Sequence, residues 1–245
     1  MKFIIQKVPV PWDFIMELYR SEEYWSWKGD PIELYTENLP DNIDPHEVCP
    51  VGSVEFVTNW YKSIWGLDIK PRNIPTEIQK YQHRIVKDHK LPEDLEEVID
   101  NFGKGSFYLK SRSSIKSNIN DVYWSGDIRL QNITDEVIIS EYMNDIISEW
   151  RCFIYNSRII DIKNYSGDPW VIPNKDKVLQ CIIEFETKAN SIPPSYTLDV
   201  AVRENGVVDV IEIHDFFSCG TYGFEEYEKY PLMLWRWFKW FTKNL

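Results

Sequence analysis

The sequence predicts an α+β protein, and three observations carry that prediction. Between residues 106 and 215 the chain is a succession of strand-like runs, SFYLK, VIISEYM, WRCFIY, RIIDIKNY, TLDVAV and VVDVIEIH, rich in β-branched and aromatic residues. Turn residues stand between paired runs, Asn156-Ser157 in one place and Glu204-Asn205-Gly206 in another, and such spacing joins antiparallel neighbours through hairpins. Helical periodicity interrupts the strands, most clearly at residues 92–102 and 175–190.

Taken in order, residues 3–6 read as a short strand and residues 12–19 as a helix with Phe14, Leu18 and Tyr19 on one face. Residues 26–50 are rich in Pro, Asp, Asn and Gly and read mainly as loop. The segment PVGSVEFVTNWYKSIWG offers a turn, a short strand and a helix, and Pro71 and Pro75 then break the pattern. A boundary is expected there, with residues 1–75 forming a small N-terminal α/β region and residues 76–245 the larger unit. In residues 92–102, Leu95, Val98, Ile99 and Phe102 form one apolar stripe, and Glu93, Asp94, Glu96 and Glu97 load the first turns with negative charge. Gly103 and Gly105 end that helix. The second helix carries Val178, Ile182, Phe185 and Ala189 near one face. The tail, PLMLWRWFKWFTKNL, spaces Leu234, Trp237, Phe238 and Phe241 as a helix packed on the domain.

Composition narrows the function. With 245 residues, 11 Trp, 14 Tyr and 12 Phe, the chain has the bulk for a sizeable packed core. Its net charge of −12 argues against a general nucleic-acid surface. The cysteines Cys49, Cys152, Cys181 and Cys219 form no CxxC pair and read as free buried thiols. No secretory pattern opens the sequence, and no apolar run nears the ~20 residues that span a bilayer. A cytoplasmic location and no membrane partner are expected.

Three constellations carry chemistry. Asp199 lies in TLDVAV, and Glu212 and His214 lie in VIEIHD, across a hairpin turn. Residues two apart on a strand share a face, so Glu212 and His214 point the same way. Buried carboxylates on adjacent strands repel unless a cation or a proton intervenes, and Mg²⁺ or Mn²⁺ is the hard, oxygen-preferring choice. The second constellation is SFYLKSRSSIKSN, where Lys110 ends a strand before a serine-rich loop holding Arg112 and Lys116, an arrangement suited to phosphate. The pattern GxxxxGK[ST] is absent, which excludes a P-loop. In the third, Glu141 closes an apolar strand, Glu149 and Arg151 share a face, and Lys163 follows the next turn. A structural ion pair is one reading of Glu149 and Arg151, and contacts to ribose and phosphate are the other.

In this order, over residues 107–224, the three constellations resemble the ATP-grasp fold, in which two α+β subdomains sandwich ATP. The resemblance implies a cleft between about residues 76–140 and 141–245. It gives Lys110 the strand-end lysine before the phosphate loop, Ser140, Glu141, Tyr142 and Met143 the hinge along adenine, and Glu149 the ribose. EWRCFI is similar to the (D/E)xRxxV segment of the glutamate-ligase-like branch, which places Arg151 toward phosphates or an acyl intermediate, with Lys163 as the basic residue of the following strand. Asp199, Glu212 and His214 take the metal positions, although the usual last ligand is Asn. The family's first nucleotide lysine has no clear counterpart, with Arg84 and Lys87 as candidates. PVGSVEFV, PRNIP and DFFSCGTYGF resemble the R2K clade found in phages, other viruses and bacteria. The resemblance implies an ATP-dependent carboxylate–amine ligase working through an acyl phosphate, on small-molecule or peptide carboxylate and amine substrates, with Mg²⁺ or Mn²⁺. An ATP-grasp kinase, or a nucleotide-binding module without catalysis, are the alternatives. Tyr165 and Trp170, near Gly167, are candidates to line a substrate pocket.

Overall fold

A computed structural model describes residues 2–6, 32–34, 44–115 and 117–243. The helix expected at residues 12–19 and the loop cation Lys116 lie outside the described residues. No helix among those described is long and apolar enough to cross a membrane.

Three sheets organise the chain. The N-terminal strands β1 (Lys2–Gln6), β2 (Ile32–Leu34) and β3 (Val48–Val51) form a parallel sheet in the order β2-β1-β3. Sequence reading placed β2 and β3 within a loop-like stretch, because strands of three and four residues show too little alternation to register. Helix α1 (Val54–Trp65) follows, capped by Ser53, whose hydroxyl accepts from Phe56 N–H. Gly66 ends it at φ 67°, a conformation that favours glycine.

The middle sheet has the order β4-β7-β5-β6 and is antiparallel, from β4 (Val86–Lys90), β5 (Ser106–Ser111), β6 (Asp121–Trp124) and β7 (Glu136–Glu141). Alternation sorts its side chains. Phe107, Leu109, Tyr123, Val137 and Ile139 are buried with Val98 and Phe102 of α2 (Leu95–Phe102). Their neighbours Tyr108, Lys110, Val122, Ile138 and Ser140 border a cavity. Strand β4 escapes sequence reading because charged residues dominate VKDHK, and β6 because the four residues DVYW are too few to show alternation.

The third sheet has the order β11-β10-β8-β9 and is also antiparallel, from β8 (Ile146–Tyr155), β9 (Arg158–Gly167), β10 (Ser195–Arg203) and β11 (Val208–Asp215). Its lower face buries Trp150, Cys152, Ile154, Leu198, Val200 and Val210 against α3 (Lys175–Lys188) through Val178, Cys181, Ile182 and Phe185. The β8–β9 hairpin turns at Asn156 and Ser157, both at positive φ (47° and 64°), as the sequence signal required.

The C-terminal helix α4 (Tyr230–Lys243) packs rather than floats. Met233, Leu234, Trp237 and Phe238 share one core with Phe3, Ile4, Val51 and Tyr61 of the N-terminal elements. Fully burying side chains of this size contributes about 1.5–3 kcal/mol each. All four cysteines are free and buried.

Gly167 ends β9 at φ 74°, and a Cβ there would lie 2.0 Å from the carbonyl oxygen of Ile147. Gly167→Ala is therefore expected to cost about 1–2 kcal/mol for the left-handed backbone, with a further loss from the strand displacement. Chemical denaturation of the two proteins checks this. Equal midpoints would contradict the tight β8–β9 approach.

Candidate functional site

The middle sheet and the third sheet turn their uncovered faces toward each other across a cavity of ≈ 400 Å³. That volume falls in the range of about 300–1,000 Å³ typical of small-ligand sites. Lys110, Tyr108, Ile138 and Ser140 border it from one side, and Glu149, Arg151, Tyr165, Asp199 and Glu212 from the other. Glu141, Tyr142 and Met143 lie where the chain passes from β7 toward β8, and they border it too.

Strand register assembles the charged floor. Glu212 pairs with Asp199, Asp199 with Arg151, and Arg151 with Lys163, so four ionic residues form one row across four strands. A bulge makes this row. Near the turn, Val202 faces Val208 and Val200 faces Val210, a register that would bring Glu212 opposite Leu198 on the core side. One extra residue, Ile211, shifts the pairing so that Glu212 meets Asp199 on the cleft side. A second bulge lies in β9, where Ser166 pairs with Glu149 and Asn164 with Trp150, leaving Tyr165 between them. Its hydroxyl donates to Glu149 Oε2 at 2.9 Å.

The row is neutralised internally. Arg151 donates from Nε to Asp199 Oδ1 at 2.8 Å and from Nη2 to Oδ2 at 2.7 Å, and its Nη1 donates to Gly220 O at 2.8 Å. Its guanidinium also lies over the rings of Tyr222 at 5.1 Å and Tyr165 at 5.7 Å, which stack on each other. Burial alone pushes the Asp199 carboxyl up, but the guanidinium outweighs it and brings the group down to about 2. Lys110 reaches across the cleft to pair with Glu212. Burial pushes the Lys110 ammonium down to about 8, against the opposing pull of Asp199. Burial also lowers His214, with Asp199 opposing.

One atom each from Asp199, Glu212 and His214 lie within 4.8 Å of one another. His214 Nε2 is 3.0 Å from Glu212 Oε1 and 3.5 Å from Asp199 Oδ2, yet it is buried without a hydrogen bond. Three donor atoms converging with an unsatisfied nitrogen among them fit a divalent cation.

Other sequence candidates fall in different places. Lys163 ends the row beside Glu225 at 2.7 Å and Asp161 at 3.4 Å, and is not part of the cavity wall. Arg112 turns to Asp88, donating from Nε at 2.8 Å, and is likewise not part of that wall. The Glu141 carboxylate accepts from Ile85 N–H at 2.8 Å. Arg84 borders the cavity, its Nη1 3.6 Å from Met143 Sδ, whereas Lys87 donates to Asn101 at the surface. Trp170 is 88 % exposed and is not part of the wall. Among the residues bordering the cavity, Tyr108 has no role in the sequence analysis, although the alternation of Phe107 and Leu109 inward exposes it, and Asn73 and Tyr222 enter there only within the clade-like segments PRNIP and DFFSCGTYGF, with no site role.

No curated protein matches this sequence. Among solved structures, the chain is similar to D-alanine–D-alanine ligase from Bacillus anthracis complexed with ATP, at TM-score 0.60 and 15 % identity over 100 % of this chain and 99 % of that one. It is similar to D-cycloserine synthetase DcsG at TM-score 0.59 and 10 % identity, covering 96 % and 98 % of the two chains. It is similar to the ATP-grasp ligase PsnB complexed with minimal precursor at TM-score 0.54 and 11 % identity, covering 95 % and 97 %. At these identities the likeness concerns the fold. The family model for the ATP-grasp domain, R2K clade family 2, matches residues 93–231, more than half of the chain. The chain belongs to that family of ATP-grasp domains.

Proposed function

We propose that the protein is an ATP-dependent carboxylate–amine ligase that activates a carboxylate as an acyl phosphate and joins it to an amine. The observation that carries this reading is the row Glu212–Asp199–Arg151–Lys163, faced across the cleft by Lys110. Phosphoryl transfer asks a protein mainly for position and charge. The row supplies both without a nucleophile–base pair. Residues 1–75 act as an N-terminal region, and the nucleotide lies between residues 76–140 and 141–245.

Glu141, Tyr142, Met143 and Arg84 border the end assigned to adenine, and Glu149, oriented by Tyr165, takes the ribose hydroxyls. Lys110 binds phosphate, and Arg151 stabilises charge on the transferring group and the acyl phosphate, whereas Lys163, the catalytic candidate at the end of the row, is held by Glu225 and Asp161 away from the cavity wall. Asp199, Glu212 and His214 hold Mg²⁺ or Mn²⁺, which supplies charge neutralisation on the phosphates. The imidazole shifts preference toward Mn²⁺. Arg112 is engaged by Asp88 and has no part in this assignment. The likeness to PsnB, seen with a precursor peptide, supports testing peptide carboxylates beside small acids.

Hydroxylamine trapping tests the reading. With ATP, Mn²⁺ and a panel of carboxylates including acidic peptides, the expected product is a hydroxamate together with ADP and phosphate. A stable phosphorylated product formed without any amine would make the protein a kinase. Nucleotide binding without turnover over the whole panel would leave a binding module.

Tyr165→Phe removes the hydroxyl that holds Glu149 and is expected to raise KM for ATP severalfold with kcat little changed. Steady-state kinetics check it. An unchanged KM would detach Glu149 from the nucleotide.

A further inference from the structure

We propose that Asn73 supplies a side-chain amide oxygen to the cation site of Asp199, Glu212 and His214, an inference that rests on reading that cluster as the cation site of the nucleotide cleft. Asn73 is 1 % exposed, and both polar atoms of its amide, Oδ1 and Nδ2, are buried without a hydrogen-bond partner. Protein interiors keep few such groups, because each forfeits its bonds to water and gains none in return. Those that persist call for an explanation, and a bound ion is one.

Its placement is specific. Ile213 N–H donates to Asn73 O at 2.7 Å, an isolated antiparallel bridge that extends the third sheet beyond β11. Ile213 is the residue between Glu212 and His214. Asn73 thus flanks the strand that carries two of the three converging donors, and it borders the same cavity as Lys110, Asp199 and Glu212. The flanking residues fix it there. The Arg72 guanidinium donates to Asp215 and lies 5.1 Å from the Trp240 ring, while Ile74 packs on the core of the third sheet and also borders the cavity. The backbone adopts φ 53°, a left-handed conformation that Asn tolerates better than most residues.

The chemistry is complementary. Two carboxylates and an imidazole give a cation charge compensation and one nitrogen donor. A hard ion such as Mg²⁺ or Mn²⁺ takes further neutral oxygens, and an amide oxygen is one that adds no charge. Asn73 lies outside the matched residues 93–231, so the family match assigns it nothing. The cation site is therefore completed from the N-terminal segment.

The test is Mn²⁺ titration, followed by electron paramagnetic resonance, into protein saturated with a non-hydrolysable ATP analogue. It compares the wild type, Asn73→Gly and Asn73→Asp. Glycine removes the amide yet accepts the left-handed backbone. Aspartate keeps an oxygen in place. Asn73→Gly is expected to weaken Mn²⁺ binding about tenfold or more, and Asn73→Asp to bind at least as tightly as the wild type. The ligand-free Asn73→Gly protein is expected to unfold close to the wild-type temperature, since the lost amide had no partner. Wild-type Mn²⁺ affinity in Asn73→Gly overturns the proposal. Equal losses in both variants also overturn it, by assigning the contact to Nδ2 and phosphate. A collapse of the unfolding temperature does so as well, by making the amide structural. A wild type that binds neither Mn²⁺ nor the analogue overturns the reading of the cleft itself and the Asn73 assignment with it.

Discussion

Asp199→Ala is expected to abolish ATP turnover and to cost about 3–5 kcal/mol of stability. The two effects have separate causes. Turnover fails because the cation loses a carboxylate at the centre of the row. Stability falls because Asp199, 2 % exposed, is the bidentate partner of the buried Arg151. Removing it leaves a buried guanidinium with one carbonyl, Gly220 O, and two aromatic rings. The double variant Asp199→Ala/Arg151→Leu is expected to recover much of the stability and none of the turnover. Glu212→Ala is expected to abolish turnover at a smaller stability cost, because Lys110 and Glu212 are each 17 % exposed and the freed ammonium reaches water more readily. Urea denaturation with an ADP-release assay separates the outcomes. Normal turnover in Asp199→Ala and Glu212→Ala contradicts the cation assignment.

Lys110→Ala is expected to lower turnover about 10²–10³-fold, the usual cost of deleting one charge-stabilising donor. Its stability cost is expected to be below that of Asp199→Ala, because the burial that brings the ammonium down to about 8 offsets part of what its ion pair with the 17 % exposed Glu212 contributes. An enzyme that unfolds as the wild type does, but turns over slowly, is the result that separates a functional lysine from a structural one. Full activity in Lys110→Ala would remove the facing cation from the account.

Particular elements explain what the sequence disclosed. The β10–β11 hairpin was legible because Asn205-Gly206 punctuates two alternating apolar runs, and alternation also assigned Glu212 and His214 to one face. The extra residue Ile211 was not legible, although it alone places Glu212 opposite Asp199 rather than Leu198. Val210 and Ile211 read as one continuous apolar pair, which hides the extra residue. The Arg151–Asp199 pair joins residues in strands that are neighbours in the sheet but far apart in sequence, and only sheet order reveals it. Glu149 and Arg151 share a face, as expected, yet they do not bond to each other. Tyr165 holds one and Asp199 the other. Strand β4 stays hidden because charged residues fill it, β6 because it is only four residues long, and the setting of Asn73 because it comes from a single bridge to a strand distant in sequence.

The most direct test of the central claim is anomalous diffraction from crystals grown with Mn²⁺ and a non-hydrolysable ATP analogue. A manganese peak is expected ~2.1 Å from carboxylate oxygens of Asp199 and Glu212, with the triphosphate between Lys110 and the third sheet. A nucleotide lying outside the cleft, or manganese bound elsewhere while Arg151 and Lys110 keep Asp199 and Glu212, would contradict it.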